Sequence, residues 1–263
     1  MKEIDWEERQ FQIVLSLLNR TEMKTSGLTE YPRIEDIIEK SESIVKILRK
    51  RLTTSSSETL FPKIEGDKMG YINETGIWVI SPSFDEASPF SDGMARVKLR
   101  DKYGYINSIG GLIIMPLYKW LDFFYEDLAV ACLSGSRLGY IDKKGNWMIE
   151  PIFEHANEFS DGLAAVEIDN KTGYINHKGE FEIEPQFYLG DSFNKGVAFA
   201  KEELGGLWGL IDKKGNWIHT PSFKTYSSFD KDGYALVIYS DEEVNPCWMN
   251  RDGRVWVGKK PKE

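Results

Sequence analysis

The chain has 263 residues, 41% hydrophobic and 29% charged, and its 33 Lys and Arg against 42 Asp and Glu leave a formal net charge of −9, an ordinary globular balance. That sign disfavours general nucleic-acid binding, which draws on basic side chains, and would steer a basic partner toward the surface. Nothing approaches the ~18 apolar residues of a membrane span, Met1-Lys2-Glu3-Ile4-Asp5 lacks the build of a secretion signal, and Cys132 and Cys247 are too few for a disulfide framework or a four-ligand zinc site, so a cytoplasmic protein without membrane contact is expected.

From Asp5 to about Asn19, Phe11, Val14, Leu15 and Leu18 fall on one stripe at helical spacing. Thr25-Ser26-Gly27 ends that pattern, Pro32 opens a second one, and Ile34, Ile37, Ile38, Val45, Leu48 and Leu52 continue it. Residues 1–52 are therefore expected to form two amphipathic helices that pack on the following domain, dimerise or meet a partner, with a polar linker over 53–59. Trp6, Phe11 and Tyr31 are the only aromatic residues before residue 60, against 31 beyond it. The charge is −1 through residue 60 and −8 over the rest. Two regions built on different rules are implied.

The second region repeats. Gly70-Tyr71-Ile72-Asn73, Gly104-Tyr105-Ile106-Asn107, Gly139-Tyr140-Ile141-Asp142 and Gly173-Tyr174-Ile175-Asn176 are continued by Gly209-Leu210-Ile211-Asp212 and by the eroded Cys247-Trp248-Met249-Asn250. Each Asn or Asp is followed three residues later by glycine: Gly76, Gly110, Gly145, Gly179, Gly215 and Gly253. Pro82, Pro116, Pro151, Pro185 and Pro221 recur in phase, as do Phe90, Phe124, Phe159, Phe193 and Phe229, and then Ala95, Ala129, Ala164, Ala198 and Ala235. A period of this length marks a repeat architecture.

One unit reads physically from Leu163. Leu163–Ile168 alternates as a half-buried strand, Asp169-Asn170-Lys171 turns the chain and Gly173-Tyr174-Ile175 returns. Asn176-His177-Lys178-Gly179 turns again, because Asn bonds its own backbone and glycine accepts positive φ, and Phe181-Glu182-Ile183 forms a third strand ended by Pro185. The expected fold is an all-β array over residues 60–257, made of six three-stranded antiparallel meanders of about 35 residues, with a polar tail over 258–263. Meanders this small gain stability by stacking on their neighbours. An open solenoid-like array is favoured over a closed propeller-like ring because connection lengths differ between units.

These residues resemble the WG-repeat family of bacterial β-repeats. The match is close in Trp208-Gly209-Leu210-Ile211-Asp212-Lys213-Lys214-Gly215, in Ile149-Glu150-Pro151-Ile152-Phe153 and in Phe159-Ser160-Asp161-Gly162-Leu163-Ala164. The tryptophan before glycine survives only at Trp208, with Met69, Tyr103, Leu138 and Thr172 elsewhere. The resemblance implies binding or scaffolding and carries no catalytic machinery with it.

The residues themselves point the same way. In the Asn/Asp-x-x-Gly turns, as in Asp212-Lys213-Lys214-Gly215, non-ligand side chains stand where a calcium loop needs oxygens. His155, His177 and His219 occupy different unit positions without metal spacing or a partnered nucleophile. No catalytic residue, metal or cofactor is assigned, and the acidic stretch Asp241-Glu242-Glu243 reads as a solvated loop.

Recognition is expected where the copies diverge. The pair after each Pro-x-aromatic signal varies most, as Asp85-Glu86, Lys119-Trp120, Glu154-His155, Tyr188-Leu189 and Lys224-Thr225. The segment Tyr118–Tyr125 adds Phe123 and Tyr125 where other copies carry small or polar residues. Lys119, Trp120, Phe123, Tyr125, Tyr188 and Leu189 are the candidate contact residues, rigid aromatics being good anchors. The expected function is a non-enzymatic protein-interaction protein, scaffold or inhibitor-like, with a carbohydrate-binding module and an immunity-type protein against a basic toxin or nuclease as alternatives.

Overall fold

The computed structural model describes residues 59–239 and 247–261. The two expected helices, nearly all of the expected linker and Asp241-Glu242-Glu243 lie outside the described residues. Among the described residues every regular element is a strand.

The strands group into sheets in sequence order. The first sheet is β1 (Phe61–Glu65), β2 (Lys68–Ile72) and β3 (Trp78–Phe84). The second is β4 (Glu86–Ala87), β5 (Met94–Leu99), β6 (Lys102–Asn107) and β7 (Leu112–Tyr118). The third is β8 (Trp120–Leu121), β9 (Ala129–Cys132), β10 (Leu138–Ile141) and β11 (Trp147–Phe153). The fourth is β12 (His155–Ala156), β13 (Ala164–Ile168), β14 (Lys171–Ile175) and β15 (Phe181–Phe187). The fifth runs β16 (Leu189–Gly190), β17 (Val197–Lys201), β18 (Trp208–Asp212), β19 (Trp217–Tyr226), β20 (Tyr234–Tyr239), β21 (Cys247–Asn250) and β22 (Val255–Val257). All pairings within them are antiparallel, as His155↔Glu167 and Val166↔Gly173 illustrate in the fourth sheet.

This corrects the three-stranded unit. From the second sheet onward each unit opens with a two-residue strand in the segment read from sequence as connection, so the repeating sheet has four strands. Two residues carry no periodicity, which is why the pattern missed them. At the fifth unit the bend that separates Phe187 from Leu189 is replaced by a bulge between Phe223 and Thr225. Strand β19 therefore runs unbroken through both the fifth and the sixth unit.

The expected half-burial of Leu163–Ile168 is also corrected. Ala164 and Val166 share a buried cluster with Leu128, Val130 and Phe153 of the preceding unit. Leu163 and Ala165 share another with Phe187, Phe193 and Ala198 toward the following one. With both faces covered, the strand reads as a continuous small-apolar run rather than an alternation. The alanine column is small because a sheet lies on either side of it.

Three columns have a direct geometric cause. A Cβ placed on Gly104 would lie 2.5 Å from the Ile114 carbonyl oxygen and 2.7 Å from the Pro116 nitrogen, and Gly139 meets Ile149 and Pro151 in the same way. The bulge at each proline drives the neighbouring backbone into the space of a side chain, so glycine and proline recur together. Each buried tyrosine then donates its hydroxyl to a carbonyl of the next connection: Tyr71 to Ser88, Tyr105 to Asp122, Tyr140 to Asn157 and Tyr174 to Asp191, at 2.7 to 2.9 Å. Finally the Asn/Asp column closes its turn as expected. Asp142 Oδ1 accepts the amides of Lys144 and Asn146 at 2.9 and 2.8 Å, and Gly145 takes φ 83°.

Candidate functional site

The connections between units line up at the turns that begin β5, β9, β13 and β17, and clefts open between them. Phe123 and Tyr125 line one of about 240 Å³ together with Ser91, Asp92, Tyr105 and Lys143. Phe123 is 39% exposed, yet one ring face is covered by the Arg96 guanidinium at 4.2 Å. Leu189 lines a second cleft of about 300 Å³. Trp120, 53% exposed on β8, and Lys119 line neither, and Tyr188 lies under the Lys201 ammonium at 5.4 Å. Of the six expected contact residues, Phe123 and Tyr125 thus share one cleft, which Lys119, Trp120, Tyr188 and Leu189 do not line.

The larger feature was not singled out from sequence. A cleft of about 410 Å³ lies between the connections of the last three units, walled by Phe199, Tyr226 and Phe229 and edged by Glu158, Asp191 and Asn194. It shares Asn157 and Asp191 with the Leu189 cleft, which is further lined by His155, Ala165, Glu167, Thr172 and Gly190. Tyr226 stacks on Phe199 with ring centroids 3.8 Å apart and donates its hydroxyl to Asp191 Oδ2. Burial pushes the Asp191 carboxyl above the usual carboxylate range despite the opposing hydrogen bond from Tyr226. The Tyr226 hydroxyl is raised in turn, by burial first and by Asp191 second. The second oxygen of Asp191 makes no hydrogen bond among the described residues, and Lys, Arg and His are absent from the lining of the 410 Å³ cleft.

A sequence signal for this site exists in hindsight. Tyr226 falls in the column of Ala87, Leu121, Ala156 and Gly190, while its unit lacks the usual tyrosine and carries Leu210. Two departures in one unit mark a local rebuild.

Among the described residues no three His, Cys, Asp or Glu side chains are placed to hold a metal ion. His177 stacks on Phe159 at 4.4 Å and pairs with Glu126 at 3.1 Å, while His219 Nδ1 lies 2.9 Å from the Thr220 carbonyl oxygen. The same His219 Nδ1 also lies 3.4 Å from the Ser222 hydroxyl.

The chain belongs to the WG containing repeat family, whose model matches residues 69–103, 103–135, 139–171, 173–203 and 208–239. Among solved structures it is similar to a eukaryotic initiation factor, with a TM-score of 0.51 and 10% identity over 76% of this chain and 62% of that one. It is also similar to Kluyveromyces lactis Hsv2 (TM-score 0.41, 12% identity, 62% of this chain and 59% of that one) and to BamB from Moraxella catarrhalis (0.40, 11%, 76% and 73%). The chain spans less than two thirds of the initiation-factor and Hsv2 chains. The initiation-factor likeness shows the fold alone, one of the β-propeller and β-repeat kind. The comparison with curated proteins gives no match.

Proposed function

We propose that this chain is a non-enzymatic interaction protein that uses its connection rim to bind a basic protein partner in the cytoplasm. One observation carries the reading: the packing columns hold from unit to unit while the rim residues diverge, and in the last units that divergence opens two adjoining clefts around the Asp191 carboxylate, which has no cation of its own. The negative charge of residues beyond 60 would speed the encounter with such a partner. An inhibitor or immunity-type protein for a basic toxin or nuclease is a narrower form of the same reading. A sequence with only two cysteines, Cys132 and Cys247, too few for a disulfide framework, suits a reducing compartment.

An open array is the arrangement that the buried clusters support. Each joins consecutive units, and none among the described residues joins the sixth to the first.

The test is binding to two proteins of matched size, one basic and one acidic, over a salt series. Selective binding of the basic protein that weakens about tenfold or more on raising salt is expected, whereas equal or salt-independent association of both would overturn the reading. The carbohydrate alternative rests on the exposed ring of Trp120. Tryptophan fluorescence that stays constant across a glycan panel would dismiss it.

A further inference from the structure

The protein contains its own template for a cation site. In the second unit Arg96 reaches across to the next connection. Its guanidinium lies 4.2 Å over the Phe123 ring and 5.2 Å over the Tyr103 ring, its Nη1 donates to the Leu121 carbonyl at 2.8 Å, and Asp122 Oδ1 is 3.7 Å away. A carboxylate in this column, beside a free strand-end carbonyl, accepts a guanidinium.

Two units later the same positions carry Ala165 for Arg96, Thr172 for Tyr103, Gly190 for Leu121 and Asp191 for Asp122. The acid is kept and the cation is gone. Where the long side chain would lie there is the cleft of about 300 Å³, lined by those four residues together with Glu167 and Leu189. Asp122 and Asp191 are the only acids in their column, the others being Ser88, Asn157 and Ser227. The strand cation Lys201 is paired with Leu189 across the sheet and sits over the rings of Tyr188 and Trp208 at 5.4 and 4.9 Å. Only burial and the Tyr226 hydroxyl act on the Asp191 carboxyl.

We infer that the slot left by Ala165 receives a guanidinium from outside, an arginine side chain of the basic partner, which meets the Asp191 carboxylate and the Gly190 carbonyl as Arg96 meets Asp122 and Leu121. This rests on the proposed binding of a basic protein and names the group that it would insert. The cleft offers an acceptor pair to the planar donor fork of arginine, and His155 and Glu167 are the remaining titratable groups on its lining.

The test uses the full chain and three blocked tripeptides, Gly-Arg-Gly, Gly-Lys-Gly and Gly-citrulline-Gly, read by amide NMR shifts at Thr172 and Gly190. The arginine peptide should shift both amides, and its neutral isostere citrulline should not. Asp191→Asn should weaken the arginine peptide about tenfold or more. Ala165→Arg should abolish its binding in a protein that circular dichroism shows to be folded, because its own guanidinium would fill the slot as Arg96 does in the second unit. Equal shifts from citrulline or lysine, no shift from arginine at millimolar peptide, or undiminished binding by a folded Ala165→Arg protein would each overturn the slot. The basic-protein titration run alongside separates the two claims: a partner bound equally by wild type, Asp191→Asn and Ala165→Arg would sink the slot and leave the broader reading standing, whereas a wild-type chain that ignores basic proteins would sink the broader reading.

Discussion

The Asp161 carboxylate accepts the amide N–H of Gly196 at 2.7 Å, so the turn that opens one unit's second strand is tied to the same turn of the next unit. One unit earlier Glu126 accepts the Gly162 amide at 3.0 Å in the same manner. A second set of side chains reaches the same turns from the Asn/Asp loops. Lys143 meets Asp127 at 2.8 Å, His177 meets Glu126 at 3.1 Å, Lys213 donates to the Asp161 carbonyl and Arg251 donates to Asn194 at 2.7 Å. The rim is stitched from turn to turn, and it is this regular stitching that sets the spacing of the clefts.

Asp161 should matter as an acceptor rather than as a charge. It also holds φ 56°, which Asn tolerates and Ala does not. Asp161→Asn is expected to stay within about 0.5 kcal/mol of wild type in urea unfolding, and Asp161→Ala to lose about 1–2 kcal/mol. Equal losses in the two variants would show the charge to be the relevant property.

The glycine before each buried tyrosine is a matter of clearance. Gly139→Ala would press a methyl group against the Ile149 carbonyl and Pro151 nitrogen, and a loss of about 3 kcal/mol or more is expected. Gly93 has φ 75° and open space around it, so Gly93→Ala should cost only about 1 kcal/mol, through its backbone. Chemical denaturation of the pair separates crowding from conformation.

Tyr140 is fully buried and its hydroxyl is held by the Asn157 carbonyl at 2.7 Å. Removing that hydroxyl alone leaves a buried acceptor short of a partner. Tyr140→Phe should lower stability by about 1–2 kcal/mol with the strands intact by circular dichroism, and an unchanged unfolding midpoint would mean that the ring alone is what the column requires.

Much of this fold was legible because each column reports a local rule repeated many times. Gly145 and Asp142 declare a turn by their chemistry, and Pro151, Phe159 and Ala164 recur in phase from unit to unit. The first strand of each unit was not legible, since Glu86–Ala87 or Leu189–Gly190 is too short to show a period and is defined only by its partner across the sheet. The six contact candidates were sought where the copies diverge, and of them Phe123 and Tyr125 line one cleft together. Asp191 escaped because a polar residue at that position looks like its neighbours Ser88 and Asn157. Its significance comes from what Ala165, one unit earlier in the sheet stack, fails to supply.

Asp191 also makes a prediction about acid. Its carboxyl is raised in the folded chain, chiefly by burial, so folding favours the protonated form. Its stabilising contribution is complete below the ordinary value of 3.8 and is lost as pH rises through the folded value. Asp191→Asn should therefore gain stability relative to wild type as pH rises from 3.8 toward neutrality. Unfolding midpoints of the two proteins that run parallel across that range would contradict the assignment.

The two cysteines should behave as packed thiols. Cys132 and Cys247 are 4% and 1% exposed, and burial raises the Cys247 thiol above its usual range. A thiol reagent should label neither in the native chain and both in denaturant, with no effect of reductant on the unfolding curve. Rapid native labelling at either position would show that its sheet opens locally.

Strand β19 has a consequence for how the chain can be divided. Elsewhere a bend after the Pro-x-aromatic signal, as at Tyr188, gives a seam at which whole units could be removed or added and a complete sheet would remain on either side. Between the fifth and sixth units there is no such seam, because Trp217–Tyr226 serves both at once. The final two units therefore form one indivisible cap: hydrogen exchange should release β18 and β20 together, and any shortened array made by excising units would have to retain this pair whole.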